Sequence, residues 1–174
     1  GMYTAYMWDS KCLTRMIRRL QPGIIINNRA SLPGDYDSPE QRIGIFQNNR
    51  AWETCMCLCD TWSYSPSRVK PPLELFQNLQ SIAVGDGNLL LRWGMECSGR
   101  WNPEQKKAFI GLGDYLKTYG QTIYNTQGGP WISQDWGGTT YAEDKIFVHV
   151  VKLPADKTIR LPKAMILRYA LQLL

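Results

Sequence analysis

The chain has 174 residues, 44% hydrophobic and 20% charged, with Lys+Arg 20 against Asp+Glu 15 and a formal charge of +5. That composition is globular, the length suits one domain or one plus a fragment, and no basic run interleaves with aromatics as a nucleic-acid groove would require. No apolar run nears the ~20 residues of a membrane span, and the N-terminal GMYTAYMWDS has neither the basic region nor the apolar core of a signal peptide; Gly1 ahead of Met2 reads as the remnant of a cleaved tag.

Residues Lys11 to Leu20 place Leu13, Met16, Ile17 and Leu20 at i, i+3, i+4 and i+7 with the arginines opposite, which predicts a short amphipathic helix. Ser10 or Asp9 can cap it, and Pro22-Gly23 stops it. The continuously apolar GIII opens a predicted strand, Gly23–Asn27. A polar stretch follows, with the amide of Asn28, the cation of Arg29 and three carboxylates, Asp35, Asp37 and Glu40. Beside Pro33-Gly34, Asp35 and Asp37 read as ordinary turn residues. Ser38-Pro39-Glu40 fits a plain helix start as well as a functional position, so the pattern alone leaves Glu40 open.

A second strand is predicted at TCMCLC, Thr54–Cys59, with Asp60, Trp62 and Tyr64 at its far end. Cys55, Cys57 and Cys59 alternate and so share a face. An odd total of five cysteines is no disulfide framework. Single-residue spacing does not suit zinc, and the only histidine, His149, is remote. Small buried hydrophobes is the better reading. Pro71-Pro72 then start a helix whose buried stripe is Leu75, Phe76, Leu79, Ile82 and Ala83, ended by Gly85-Asp86-Gly87.

NLLLRWG, Asn88 to Gly94, is the third predicted strand. Asn102, Pro103 and Glu104 supply cap, N1 proline and first-turn acid for a helix running to Tyr119-Gly120 and burying Phe109, Leu112 and Leu116. Helices alternating with strands predict an α/β fold, a parallel sheet covered by helices. Near Trp131 the texture changes. KIFVHVVKL, Lys145 to Leu153, partly alternates, and TIRLP and MILRYALQLL follow, so this tail reads as the opening strands of a β-domain. His149 reads as a packed or rim histidine rather than a ligand.

Ligands of parallel α/β folds bind where the carboxyl ends of strands gather their loops. Asn28 and Arg29 follow the first predicted strand, Asp60, Trp62 and Tyr64 the second, and Arg92 and Glu96 the third. A carboxylate, a guanidinium and an aromatic wall converging on one face suit a sugar, whose hydroxyls need hydrogen-bond partners and whose C–H faces need an aromatic surface.

The ordered blocks LQPGIIINNR, GDYDSPEQ, WETCMCLCDTWSY, GDGNLLLRWG and IYNTQGGPW make the chain, from about Trp8 to Trp131, resemble the α-L-fucosidases of glycoside hydrolase family 29. The resemblance implies an irregular (β/α)8, TIM-like barrel, of which residues 1–131 would be the C-terminal half and 132–174 the truncated start of a C-terminal β-sandwich. It implies retaining hydrolysis of terminal α-L-fucosyl linkages in glycans, with no cofactor and no metal. Such hydrolysis uses two carboxyls about 5–5.5 Å apart. By position Glu40 matches the acid/base, a role that asks for a carboxyl protonated when the glycosidic bond breaks. Arg29 resembles the arginine that contacts fucose and nucleophile, Trp62 the aromatic that packs on the sugar's apolar side, with Tyr64 behind it. Trp52 and Glu53 match a dipeptide expected to be structural.

The family's nucleophilic aspartate, in a W-F-D-like motif on the preceding strand, has no counterpart. Asp9 in WDS (Trp8–Ser10) is the candidate that tempts, yet it adjoins the first helix and reads as its cap in preference to a nucleophile. Arg92 and Met95 stand where the family usually has Asn and Pro. A barrel of this class needs roughly 250 residues. The chain is therefore expected to be a fragment, inactive alone, that closes its core as a homo-oligomer or with another polypeptide. Its expected ligand is a fucosylated glycan. The alternative is a non-catalytic carbohydrate-binding or interaction module derived from the same barrel.

Overall fold

The computed structural model describes residues 3–65 and 67–161. The run MILRYALQLL and the last residue of TIRLP lie outside the described residues. Three helices form where periodicity and caps predict them: α1 at Ser10–Leu20, α2 at Pro72–Val84 and α3 at Pro103–Tyr119. The Asn102 side chain accepts the N–H groups of Glu104 and Gln105 and so caps α3, as the sequence predicted.

Strands β1, Glu53–Cys57, and β2, Asn88–Arg92, pair in parallel, with Glu53 opposite Asn88 and Cys57 opposite Arg92. The ladder does not end at β1. Asp37 bridges Trp52 and Glu40 bridges Cys55, both in parallel, with the N–H of Cys55 donating to the Pro39 carbonyl at 3.0 Å and that of Gln41 to Cys55 at 2.9 Å. Asn27 in turn bridges Tyr36, again in parallel. The chain around Asn27, Tyr36–Gln41, β1 and β2 thus runs side by side in one direction.

Two readings of the polar stretch give way here. Ser38-Pro39-Glu40 starts no helix; it is part of an extended segment beside β1. Gly23–Asn27 is not a strand: only Asn27 forms a bridge, with the Ile26 carbonyl beside it accepting the Asp35 N–H at 2.6 Å. Ile25 is 72% exposed, and the N–H of Ile26 goes to the Asp35 carboxylate at 2.6 Å. A side chain thus takes the donor that a neighbouring strand would otherwise hold.

The core sits between this parallel layer and the two long helices. Leu58, Cys59, Leu75, Phe76, Ala108 and Leu112 form its buried cluster, with Leu91, Trp93, Phe109 and Leu116 against it. Cys57 is also buried, Cys55 only partly, and no cysteine is oxidised among the described residues. Helix α1 departs from expectation: its predicted apolar stripe stays partly or wholly exposed, Leu20 at 71%, and only Ser10 is buried.

At the amino end of β1, Trp52 is buried and its indole N–H donates to the Gly85 carbonyl at 3.1 Å. A Cβ at Gly87 would overlap the indole, so the glycine after α2 is required by this packing. That agrees with the structural role expected for Trp52.

A three-stranded antiparallel sheet follows: β3, Gln127–Gly128, β4, Gly137–Ala142, and β5, Lys145–Val150. It docks on α2 and the turn after it. The N–H of Gly128 donates to Asp86 Oδ1 at 2.8 Å, and Gln80 on α2 meets His149 Nδ1 at 3.2 Å. His149 is packed, as expected.

Candidate active site

Arg29 lies on a single 3-10 turn, Asn28–Ala30, which the Asn27 side chain closes by accepting the Arg29 N–H at 3.1 Å. From there its guanidinium reaches the extended segment beside β1. Nη1 donates to Glu40 Oε2 and Nε to Ser38 Oγ at 2.8 Å. Ser38 Oγ donates onward to Asn28 Oδ1 at 2.7 Å. Arg29 and Glu40, far apart in the predicted loop, are thus a direct ion pair. Their side chains are 42% and 41% exposed, so the pair remains open to solvent and to a ligand.

The other two carboxylates of the stretch have different employment. Asp37 accepts from Gln47 Nε2 at 3.2 Å and Arg50 Nε at 3.0 Å, and these bonds, Gln47 first, hold its carboxyl below the usual range. Asp35 is held low chiefly by the Ile26 N–H and then by Arg18, whose Nη2 donates to both carboxylate oxygens at 2.6 and 2.7 Å. Both fasten the chain around Pro33-Gly34. Asp35 agrees with its reading as a turn residue; Asp37 departs from it, lying in the extended segment and bridging Trp52.

The aromatic wall gathers at the far end of β1 and β2. Lys70 Nζ donates to the carbonyls of Cys57 at 2.8 Å and Cys59 at 3.1 Å, fixing the point where β1 gives way to the loop Asp60–Tyr64. Gly94, after β2, lets the Tyr64 backbone approach so closely that a Cβ would collide with it. Trp62 is half-buried with the Arg92 guanidinium carbon 5.6 Å from its ring centroid, and Tyr64 is exposed.

Arg29 with Glu40 and Arg92 with Trp62 are therefore two clusters, joined across β1. Cys55 lies opposite Glu40 in the ladder. Burial first, then the Glu40 charge, pushes its thiol up, while Arg29 and Arg92 pull it down. Its surroundings register both clusters. Ser38 and Cys55 were not picked out from sequence; the i, i+2 spacing of Ser38 and Glu40 in an extended run was the available signal.

Asp9 is placed elsewhere. It occupies the N-cap position of α1 in a left-handed conformation (φ 46°), and its side chain makes no capping bond. Ser10 instead donates its hydroxyl to the Ala30 carbonyl. Asp9 lines a hollow of about 510 Å³ along α1 with Trp8, Cys12 and Met16, which includes none of Arg29, Glu40 or Trp62. Among the described residues no group of three His, Cys, Asp or Glu side chains could hold a metal ion, and no helix is long and apolar enough to cross a membrane.

Solved structures share this fold. The fold matches alpha-L-fucosidase isoenzyme 1 from Paenibacillus thiaminolyticus with a TM-score of 0.77 at 25% identity, covering 87% of this chain and 40% of that one. It also matches a GH29 alpha-L-fucosidase from Bacteroides thetaiotaomicron, trapped as a covalent intermediate with 2-fluoro-fucosyl fluoride, with a TM-score of 0.74 at 26% identity over 86% of this chain and 40% of that one. Thermotoga maritima alpha-fucosidase matches with a TM-score of 0.70 at 25% identity, over 84% and 36%. The chain thus spans about two-fifths of the length of these enzymes. No curated protein sequence matches it. The family model for alpha-L-fucosidase matches residues 2–121, more than half of the chain. With an α/β fold like that of the solved fucosidases, the chain belongs to the α-L-fucosidases of glycoside hydrolase family 29.

Proposed function

We propose that the chain supplies the acid/base side of a retaining α-L-fucosidase site. Residues 1–131 would be the second half of the (β/α)8 barrel, and 132–174 the start of the C-terminal β-domain. Glu40 protonates the leaving oxygen of a terminal α-L-fucosyl bond and then takes a proton from the water that releases the sugar. Arg29 holds that carboxyl in one orientation through Nη1, with Ser38 steadying Nε. Trp62 covers the apolar face of the fucose, and Tyr64 backs it. The observation that carries this reading is the open Arg29–Glu40 pair, registered against β1 beside the loop that bears Trp62.

The same assignment makes the chain inactive by itself. Asp35 and Asp37 are each engaged by an arginine, and Asp9 lines the hollow along α1. The nucleophile then comes from polypeptide other than these 174 residues, which also closes the sheet. The test is hydrolysis of an aryl α-L-fucoside by the purified chain, alone and mixed with a polypeptide carrying the preceding half of a family barrel. The chain alone should give no turnover. The mixture should turn over, and Glu40→Gln should lower its rate by about 10²–10⁴-fold, the usual worth of general acid–base catalysis. Turnover by the chain alone that vanishes in Glu40→Gln would show that the nucleophile is within it. A mixture whose rate ignores Glu40→Gln would remove Glu40 from the chemistry.

A further inference from the structure

Arg92 is the cation at this site that the proposed chemistry leaves unused. Arg18, Arg29 and Arg50 are each fastened to a carboxylate, and Lys70 to two backbone carbonyls. Arg92 ends β2 with its side chain exposed, and that side chain makes no hydrogen bond or ion pair among the described residues. Its guanidinium carbon lies over the face of Trp62, 5.6 Å from the centroid. Neither Asp60 nor Glu96 forms an ion pair with it.

A guanidinium beside an aromatic ring is oriented by the ring quadrupole while its in-plane N–H donors stay free. Those donors form a fork that fits two oxygens of a carboxylate or sulfate. The fork lies on the site's own side of the sheet, since Arg92 pairs with Cys57 and Glu40 with Cys55, and Cys55 and Cys57 share a face. Glu40 is one strand and Arg92 the other strand beside β1, offset by the two residues between Cys55 and Cys57. At strand spacing and rise that separates their Cα atoms by on the order of 12 Å. Arg92 thus stands on the far side of β1 from Glu40, placed to meet a group on the sugar attached to the fucose.

We infer that Arg92, poised on Trp62, is an anion-binding subsite that selects glycans bearing a carboxylate or sulfate ester on the sugar adjoining the terminal fucosyl unit. A terminal fucose is uncharged, so the anion must lie on the adjoining unit. This rests on the fucoside reading of the site, and the test separates the two.

The experiment is calorimetric titration of the chain, completed by a polypeptide carrying the preceding half of a family barrel, with three fucosyl disaccharides that differ only in the second sugar: neutral, carboxylated and sulfated. At least one acidic ligand should bind about tenfold tighter than the neutral one at low salt, the size expected of hydrogen bonds to a charged group. Raised salt should narrow the gap, and Arg92→Gln should abolish it. Arg92→Lys, which keeps the charge without the fork, should retain only part. Which acid wins identifies the source of the anion. Equal binding of all three, or a preference that survives Arg92→Gln in a variant that melts normally, overturns the subsite and leaves the fucoside reading intact. Binding of no fucoside at all overturns both.

Discussion

Both imidazole nitrogens of His149 are engaged. Thr140 Oγ gives its single proton to the Thr122 carbonyl at 2.8 Å, so it accepts from Nε2–H of His149, also at 2.8 Å. Nδ1 is then the acceptor for the Gln80 amide. Burial pushes the imidazole down to about 4, against an opposing pull from the Thr122 carbonyl. The unfolded chain takes up this proton near pH 6.5, the folded protein only near 4. Stability is therefore complete above about pH 6.5 and falls as pH drops toward 4, by roughly 3 kcal/mol over that span. Urea melts at pH 7 and pH 4.5 should show the loss, and His149→Gln should flatten it. A wild-type midpoint unchanged across that range would contradict the assignment. Sequence correctly read this residue as packed. Its donor order was not legible, because Thr140 becomes its neighbour only when β4 pairs with β5, and Gln80 only when that sheet docks on α2.

Among the elements, the three helices were readable because apolar spacing and the Asn102-Pro103 start are local signals. The extended segment at Tyr36–Gln41 was not, since its aspartates and Pro39 carry turn chemistry and its pairing depends on a strand that comes later in the chain. β4 was likewise hidden by Gly137-Gly138, although Thr139 and Thr140 within it are fully buried. Pairing of Arg29 with Glu40 followed from no local pattern. Family resemblance named both residues, and the turn at Asn28–Ala30 explains how they meet. Gly87, read only as a helix stop, has a second duty: it gives room to the Trp52 indole. Gly87→Ala should destabilise by about 1–3 kcal/mol, the usual cost of overpacking a core. Gly113→Ala, on α3 with nothing within 4 Å of its added methyl, serves as control. Equal thermal midpoints for the two variants would show that the indole has room to shift.

At the scale of the whole molecule, the apolar surface left uncovered is large. Leu20, Ile25, Ile45 and Leu90 are each at least half exposed. Burying apolar area is worth about 25 cal/mol per Å², against a domain stability of about 5–15 kcal/mol. The chain alone should therefore associate with itself at low micromolar concentration, which light scattering would register; a sharply melting monomer would mean these side chains cost little in water. The parallel ladder also sets a timetable. Glu53 meets Asn88 only after α2 and its flanking loops have been spanned, whereas β4 and β5 are joined by a short turn. Closing a long loop loses entropy before the pairing returns any free energy. The hairpin that locks His149 should thus be protected from hydrogen exchange, in a refolding pulse experiment, before the amides of β1. Simultaneous protection of both would refute this order. The proposed sugar-facing residues hang on that last-formed ladder, so a chain caught early in refolding would carry its acid-sensitive lock without a site.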